Sequence, residues 1–247
     1  SRVFKRWVPH RSPPELYNHG FENLESLGAL YSRVSSHIFG DWNSCGKVMG
    51  LAPWATEWAK EWSTETRPRL LSGELDDNLQ INWETLEALP HANGWREIQR
   101  DARASRVAPG AHAEVDAEIA EKRAFHTGLA ASVQADLEAA VLPFLKRLRE
   151  RTGERNLVLV GGVALNSVLN GRIAREAGFE QLFIPPCPGD EGIALGCATH
   201  ALHALQPKLG LTPPAPRRAP LSSYQGRAYS DGGCGGRLGG ARLTSRP

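Results

Sequence analysis

Two glycines stand directly after the apolar run Asn156-Leu157-Val158-Leu159-Val160, and an asparagine follows within about one helical turn, in Gly161-Gly162-Val163-Ala164-Leu165-Asn166. Paired glycines at the carboxyl end of a strand let a phosphate or a ribose approach the backbone closely. A helix that begins there adds unpaired N–H groups and the positive end of its dipole. Asn166 is expected in the first turns of such a helix, Val163 to Ala177, where its amide can hydrogen-bond a nucleotide. The same residues also serve as a plain tight turn between strand and helix. A carboxylate, Asp190, sits in Pro188-Gly189-Asp190-Glu191-Gly192 ahead of another helix. It is either an N-cap or a ligand for a hard or borderline cation at the sheet edge. Lys47, inside Gly46-Lys47-Val48-Met49-Gly50, is either a solvated lysine on a turn or a point charge for phosphate. The spacing is not that of a P-loop, which needs a Lys-Ser/Thr pair after its second glycine.

Other chemistry is sparse. His200 and His203 are three apart with no third metal ligand beside them, and read as surface residues. Cys45, Cys187, Cys197 and Cys234 form no Cys-x-x-Cys pair, which points to a reducing, cytoplasmic compartment. Cys187 and Cys197 are expected as small buried side chains. Neither a Gly-x-Ser-x-Gly elbow nor a His-Glu-x-x-His helix is present.

The elements that must position these residues follow from periodicity. Leu24, Leu27, Leu30, Tyr31, Val34 and Ile38 recur at spacings of three and four and predict an amphipathic helix ending near Gly40. Residues 55–110 predict short helices and one strand near Leu79–Trp83, with turns at Ser72-Gly73 and Asp76-Asp77-Asn78. Ala111 to Arg151 is rich in helix formers, with an apolar face over His126–Val141, a kink or break at Pro143, and a left-handed cap at Gly153. Asn156–Val160 reads as a strand buried on both faces, Gln181–Ile184 as a second strand, and Gly192–Leu205 as a helix. Strand, glycine turn, helix, strand, turn, helix is the order of an α/β protein. On that reading the glycine turn with Asn166 and the turn with Asp190 face one crevice.

Composition bounds the function classes. The chain has 247 residues, 41% hydrophobic and 23% charged, which supports a packed core. Its longest continuous apolar stretch, Leu157–Leu165, falls short of the roughly 18 residues of a membrane helix, so no membrane partner is expected. The formal net charge is +2, but residues 217–247 carry six arginines and one acid, leaving −3 on the rest. That distribution gives no nucleic-acid footprint. Residues 226–240 hold seven glycines, and the tail is expected to be disordered. The first residues show neither an initiator Met nor an apolar leader, and read as the interior of a longer or processed product.

Four stretches in this order resemble the O-carbamoyltransferases that modify nodulation factors and antibiotics: Ser26–Ser32, Gly46–Pro53, Gly161–Asn166 and Gly189–Gly196, with an echo of that family's linker in Ser223–Ser230. The resemblance implies the second lobe of an actin-like (ASKHA, Kae1-like) ATPase domain, divided as a partial segment 1–23, the lobe 24–206, and a linker and tail 207–247. It implies ATP as co-substrate and carbamoyl phosphate as donor. The carbamoyl group would pass through a carbamoyl-adenylate to a hydroxyl of a small molecule or sugar. Lys47, Gly161, Gly162 and Asn166 would hold the nucleotide. Asp190 would join a His-x-x-x-His pair around a divalent metal, iron by analogy. This chain lacks that pair, since His10 and His19 are nine apart. The implied reading is therefore a fragment, expected to bind ATP weakly and to transfer nothing alone. Two other readings stay open: a non-catalytic relic of the same fold, and a relative of the tRNA threonylcarbamoyladenosine enzymes.

Overall fold

The structure, a computed structural model, describes residues 4–6, 25–62, 65–107, 113–210 and 212, with backbone alone at 101–107, 113–116 and 207. It divides into two compact units, Ser1–Ile184 and Pro185–Pro247. The chain is a mixed helix-and-sheet, α/β protein. The Gly/Arg-rich tail and its expected disorder lie outside the described residues.

Three helices meet in the first unit: α1 (Leu27–Phe39), α2 (Cys45–Leu51) and the long α6 (Ala113–Thr152). On α6, Leu129, Ala130, Val133, Leu137, Ala140, Val141 and Leu145 are all buried. These lie on one side of the helix, and Ser132, Asp136, Glu138 and Leu142 are buried on the other, so α6 is the core's axis. Leu30, Val34 and Ile38 of α1 and Val48 and Leu51 of α2 pack in the same cluster. The helix continues through Pro143, so the expected break does not occur. A proline inside a helix costs about 3 kcal/mol. The burial of Val141, Leu142 and Leu145 around it contributes roughly 1.5–3 kcal/mol per side chain and outweighs that. The stretch Ala117–Thr152 is also apolar and long enough to cross a membrane, and its apolarity is explained by its burial inside the fold. Gly40 and Gly153 end α1 and α6 in the left-handed conformation, as their positions predict.

Residues 55–110 are more ordered than their sequence implies. A short helix, α3 (Ala55–Trp58), precedes an antiparallel hairpin of β1 (Leu71–Glu74) and β2 (Asp77–Ile81) that turns at Leu75-Asp76. Asp77 and Asn78 of the expected turn thus begin β2, and the turn expected at Ser72-Gly73 is instead part of β1. Trp83 does not end a strand but opens α4 (Trp83–Glu87), capped by the Asn82 side chain. α5 (Gly94–Val107) follows. The hairpin is fastened to α6 by Asp136. Its carboxylate accepts the Leu70 and Leu71 N–H groups at 2.7 and 3.2 Å and pairs with Arg67 at 2.7 Å. Three donors satisfy a charge that is otherwise costly to bury.

After α6 the chain forms β3 (Asn156–Val158), a 3-10 turn (Gly162–Leu165), α7 (Ser167–Glu176) and β4 (Gln181–Phe183). β3 and β4 pair in parallel with Val158 opposite Phe183. Leu157, Leu159 and Leu182 pack against the core. The opposite face is bare, with Val158 62%, Val160 64% and Phe183 51% exposed. The expectation of a strand buried on both faces is corrected, because a single layer covers this sheet within its unit. The expected helix Val163–Ala177 is also corrected. Asn166 adopts an extended conformation and separates the 3-10 turn from α7.

In the second unit a 3-10 turn (Asp190–Gly192) leads into α8 (Ile193–His200) and a π-helical turn (Ala201–Leu205). Cys187 is half-buried and Cys197 exposed. Both were expected to be buried, and this short helix offers no second layer to cover them. His200 and His203 are exposed, as expected.

One core residue is unusual. His126 on α6 has no exposed surface, and neither ring nitrogen has a hydrogen-bond partner. Gly94 lies against its Nε2, where a Cβ would collide. The His37 ring is 6.3 Å away. Burial first, then the His37 and His91 rings, push the His126 pKa down to about 4 from 6.5, against an opposing pull from Glu97. A depressed histidine leaves the unfolded chain to take up the proton first. Stability is therefore complete above pH 6.5 and falls as pH drops toward 4. The shift corresponds to about 3 kcal/mol. His126→Leu is expected to flatten this acid decline in urea-unfolding stability between pH 6.5 and 4. Parallel curves for the two proteins would contradict this account of His126.

Candidate functional site

α1 begins at Ser26, whose hydroxyl accepts the Ala29 N–H at 3.1 Å. At its other end Asp41 organises the connection to α2. The Asp41 carboxylate accepts the Ser44 hydroxyl at 2.6 Å and the Asn43 N–H at 3.0 Å. These bonds, the Ser44 one foremost, hold the Asp41 carboxyl below the usual carboxylate range. The connection thereby presents Trp42, Asn43 and Cys45 toward the 3-10 turn that follows β3.

Between these segments lies a cavity of about 720 Å³. α1 supplies Leu27, Gly28, Tyr31 and Ser32; Trp42, Asn43 and α2 supply the next wall with Cys45, Gly46 and Met49; the 3-10 turn supplies Gly162, Val163, Leu165 and Asn166. Arg6, Leu75 and Leu137 complete it. Three of the four stretches singled out in the sequence thus border one cavity. Its walls are chiefly apolar, with no carboxylate among the described lining residues. Trp42 is 46% exposed beside it. Such a space, apolar with a few polar groups, is the usual form of a small-molecule site.

The sequence-derived candidates are distributed unevenly. Gly162 and Asn166 line the cavity. Gly161 stands immediately outside it at φ 101°, a backbone state that disfavours any side chain. Nothing lies within 4 Å of where a Cβ would project from either glycine, so a ligand can approach this backbone. Lys47 is exposed on α2 and does not line the cavity; its ammonium sits 5.7 Å from the centre of the Phe39 ring. The expected turn at Lys47 is thus a helix, because Val48 and Leu51 are buried one turn apart. Asp190 belongs to the second unit. Among the described residues, no group of three or more His, Cys, Asp or Glu side chains could hold a metal ion.

Asn166 is more engaged than a surface amide. Its Oδ1 accepts the Leu169 N–H at 2.9 Å as the cap of α7, and Gln134 Nε2 at 3.3 Å. Its Nδ2 donates to Gln134 Oε1 at 2.8 Å. Tyr31 donates its hydroxyl to the same Oε1 at 2.9 Å, and burial pushes its phenol well above the usual value. Cys45 lies 3.4 Å from the Ser32 hydroxyl, and burial raises its thiol too, so it stays protonated near neutral pH. Tyr31, Gln134, Glu138 and Arg172 were not read from the sequence as site residues. The available signal was two polar residues, Gln134 and Glu138, four apart and so on one side of the helix, within the apolar stretch His126–Val141.

The profile of the carbamoyltransferase N-terminus matches residues 7–199. The chain belongs to the carbamoyltransferase family. It is 31% identical over 183 residues to nodulation protein NolNO of Sinorhizobium fredii, covering 72% of this chain and 23% of that protein. Nodulation protein NolO of Bradyrhizobium diazoefficiens is 38% identical over 101 residues, 41% of this chain and 17% of its own length. An uncharacterised protein of Synechocystis is 32% identical over 186 residues, 72% of this chain and 27% of its own. The chain therefore spans about a quarter of the length of the first relatives it matches.

Removing the Asn166 side chain deletes a cap worth about 1 kcal/mol. It also strands Gln134 in a buried site, at roughly 1–3 kcal/mol. Asn166→Ala is expected to lower stability by about 2–4 kcal/mol, against about 1 kcal/mol for the Ser26→Ala cap deletion. Urea unfolding with an unchanged slope checks this, and equal losses for the two variants would show that the Gln134 contact adds nothing.

Proposed function

We propose that this chain forms the nucleotide-holding part of an ATP-dependent O-carbamoyltransferase, with the architecture of an actin-like ATPase second lobe. Carbamoyl phosphate is hydrolysed to carbamate and phosphate, carbamate displaces pyrophosphate from ATP to form a carbamoyl-adenylate, and a small-molecule hydroxyl displaces AMP and loses its proton. The observation that carries this reading is the meeting of the Ser26–Ser32, Gly46–Pro53 and Gly161–Asn166 stretches around one cavity, in a chain whose family is carbamoyltransferase. The parallel β3–α7–β4 unit, with its glycine turn at the carboxyl end of β3, is the arrangement in which open α/β sheets accept ligands.

In this reading ATP supplies the leaving group that makes a carbamoyl carbon reactive toward a hydroxyl. The chain's own residues bind and orient. The backbone of Gly161 and Gly162, clear of side chains, accommodates phosphate or ribose at close range. The apolar walls around Met49, Leu137 and Val163 exclude water from a flat ring, and Asn166 holds the edge of the turn. Lys47, one residue from Gly46 on the wall, supplies a mobile positive charge nearby. Asp190 is retained as a candidate ligand for a divalent metal such as iron. The described residues alone do not assemble a ligand set around it, and no step is assigned to a metal.

The test is an ATP titration of the isotopically labelled chain followed by backbone NMR. Weak binding is expected, with a dissociation constant on the order of 1 mM. Shifts should be concentrated at residues 160–167 and 45–50. Gly162→Val, which places a branched side chain on the cavity wall, should weaken the response at least about fivefold, or roughly 1 kcal/mol. Absence of any shift in these segments would remove the nucleotide from the reading.

A further inference from the structure

Six polar side chains from α1, α6, α7 and the cap of α7 form a connected series in which each link restricts the next. At the far end, Arg172 donates from Nη1 to Glu138 Oε2 at 2.7 Å, while Nε and Nη2 bind Glu176 at 2.7 and 2.6 Å. The two carboxylates, Glu176 foremost, raise the Arg172 pKa above its ordinary value and keep the guanidinium charged. A Glu138 carboxylate paired with that cation can only accept hydrogen bonds. Gln134 must therefore turn its NH2 group toward Glu138, and Nε2 donates to Oε1 at 2.7 Å. The Gln134 carbonyl then points the other way, where it accepts from Tyr31 Oη and Asn166 Nδ2 at 2.9 and 2.8 Å.

The Asn166 orientation is fixed a second time from the other side. The Leu169 N–H demands an acceptor, and Oδ1 supplies it at 2.9 Å. Two separate constraints, one from a backbone N–H and one from an ion pair, thus require the same assignment of both amides. That agreement matters because amide orientation is otherwise interchangeable in shape. Gln134, Tyr31, Glu138 and Asn166 are all buried, so losing a partner within the series is costly.

Gln134 itself does not line the cavity, whereas Tyr31 and Asn166 do. We infer that Gln134 is a positioning residue of this site: held by Glu138 and Arg172, it fixes the polarity that Tyr31 and Asn166 offer to a ligand. Tyr31 gives its proton to Gln134, so its oxygen, which also interacts with the Asn166 amide, can meet a ligand only as an acceptor. The wall at Tyr31 is thus matched to a donor, such as a ribose hydroxyl or an exocyclic amine. The nucleotide in this statement rests on the function proposed above. The orientation of the two amides does not.

The experiment labels the full 247-residue chain uniformly with 15N and follows side-chain and backbone amide exchange, with and without ATP. In the unaltered chain, the Asn166 and Gln134 amide protons should exchange at least about tenfold more slowly than those of exposed Asn43. In Gln134→Leu, the Asn166 amide should exchange at the exposed rate while the Leu169 backbone amide stays protected. Any ATP response at residues 160–167 should weaken at least about fivefold. Glu138→Gln, nearly unchanged in shape, removes the charged acceptor and should split the Gln134 signals into two orientations; it serves where Gln134→Leu fails to fold. Fast Asn166 exchange in the unaltered chain, or an Asn166 amide indifferent to the substitution made, would overturn the inference. Slow exchange that depends on Gln134 but no response to ATP would uphold the positioning role and reject the nucleotide.

Discussion

A helix buried on almost every side leaves its polar side chains no solvent to turn to, and the first unit is arranged around answering that problem for α6. Ser132, Gln134, Asp136 and Glu138 occupy buried positions within one span of it. Ser132 donates back to the Gly128 carbonyl at 2.9 Å, a local solution that needs no other element. The other three require partners from elsewhere in the chain. Asp136 takes the Leu70 and Leu71 N–H groups and Arg67, which fastens the hairpin. Gln134 takes Tyr31 of α1 and Asn166 at the start of α7, and Glu138 takes Arg172. An unmet buried polar group costs more than a formed hydrogen bond contributes. These few contacts therefore fix where the surrounding elements attach, while the apolar contacts supply most of the stabilisation.

The candidate site follows from the same attachments. Tyr31 and Asn166 are wall residues of the cavity, and because both are tied to Gln134, the ties hold α1 and the 3-10 turn to α6. The cavity remains open between them because the facing residues there are small or flexible: Gly28, Gly46, Gly162 and Met49. His126 departs from this pattern of satisfaction. It is buried without a partner on either nitrogen, and the surroundings accommodate it by keeping the ring neutral rather than by hydrogen-bonding it.

Family membership and the local geometry bear on different parts of the account. The match to the carbamoyltransferase N-terminus covers residues 7–199 and so runs through both compact units. The cavity and its polar hub lie wholly within the first. The bare apolar face of β3 and β4 belongs to that unit as well. A parallel pair with one uncovered face contributes less burial than the buried strands of a complete α/β sheet, which is consistent with α6 rather than the sheet carrying the core.

The sequence by itself determined the elements whose signals are local. The three-and-four spacing of Leu30, Val34 and Ile38 defined α1, and Gly40 and Gly153 marked two helix ends through their freedom to adopt a left-handed backbone. The order of β3, glycine turn, α7 and β4 was legible for the same reason, as were the stretches that resemble the carbamoyltransferases. Tertiary structure decided what depends on distant partners. Pro143 stays within α6 because its neighbours are buried, and Val158 is exposed because no layer covers its face. The 55–110 hairpin forms where Asp136, more than fifty residues later, receives its first N–H groups. Asn166 was visible as a candidate, but its role as a cap locked to Gln134 was not. Nothing in a linear sequence states which of two amides thirty-two residues apart will face the other. That choice is made only when burial removes water as the alternative partner.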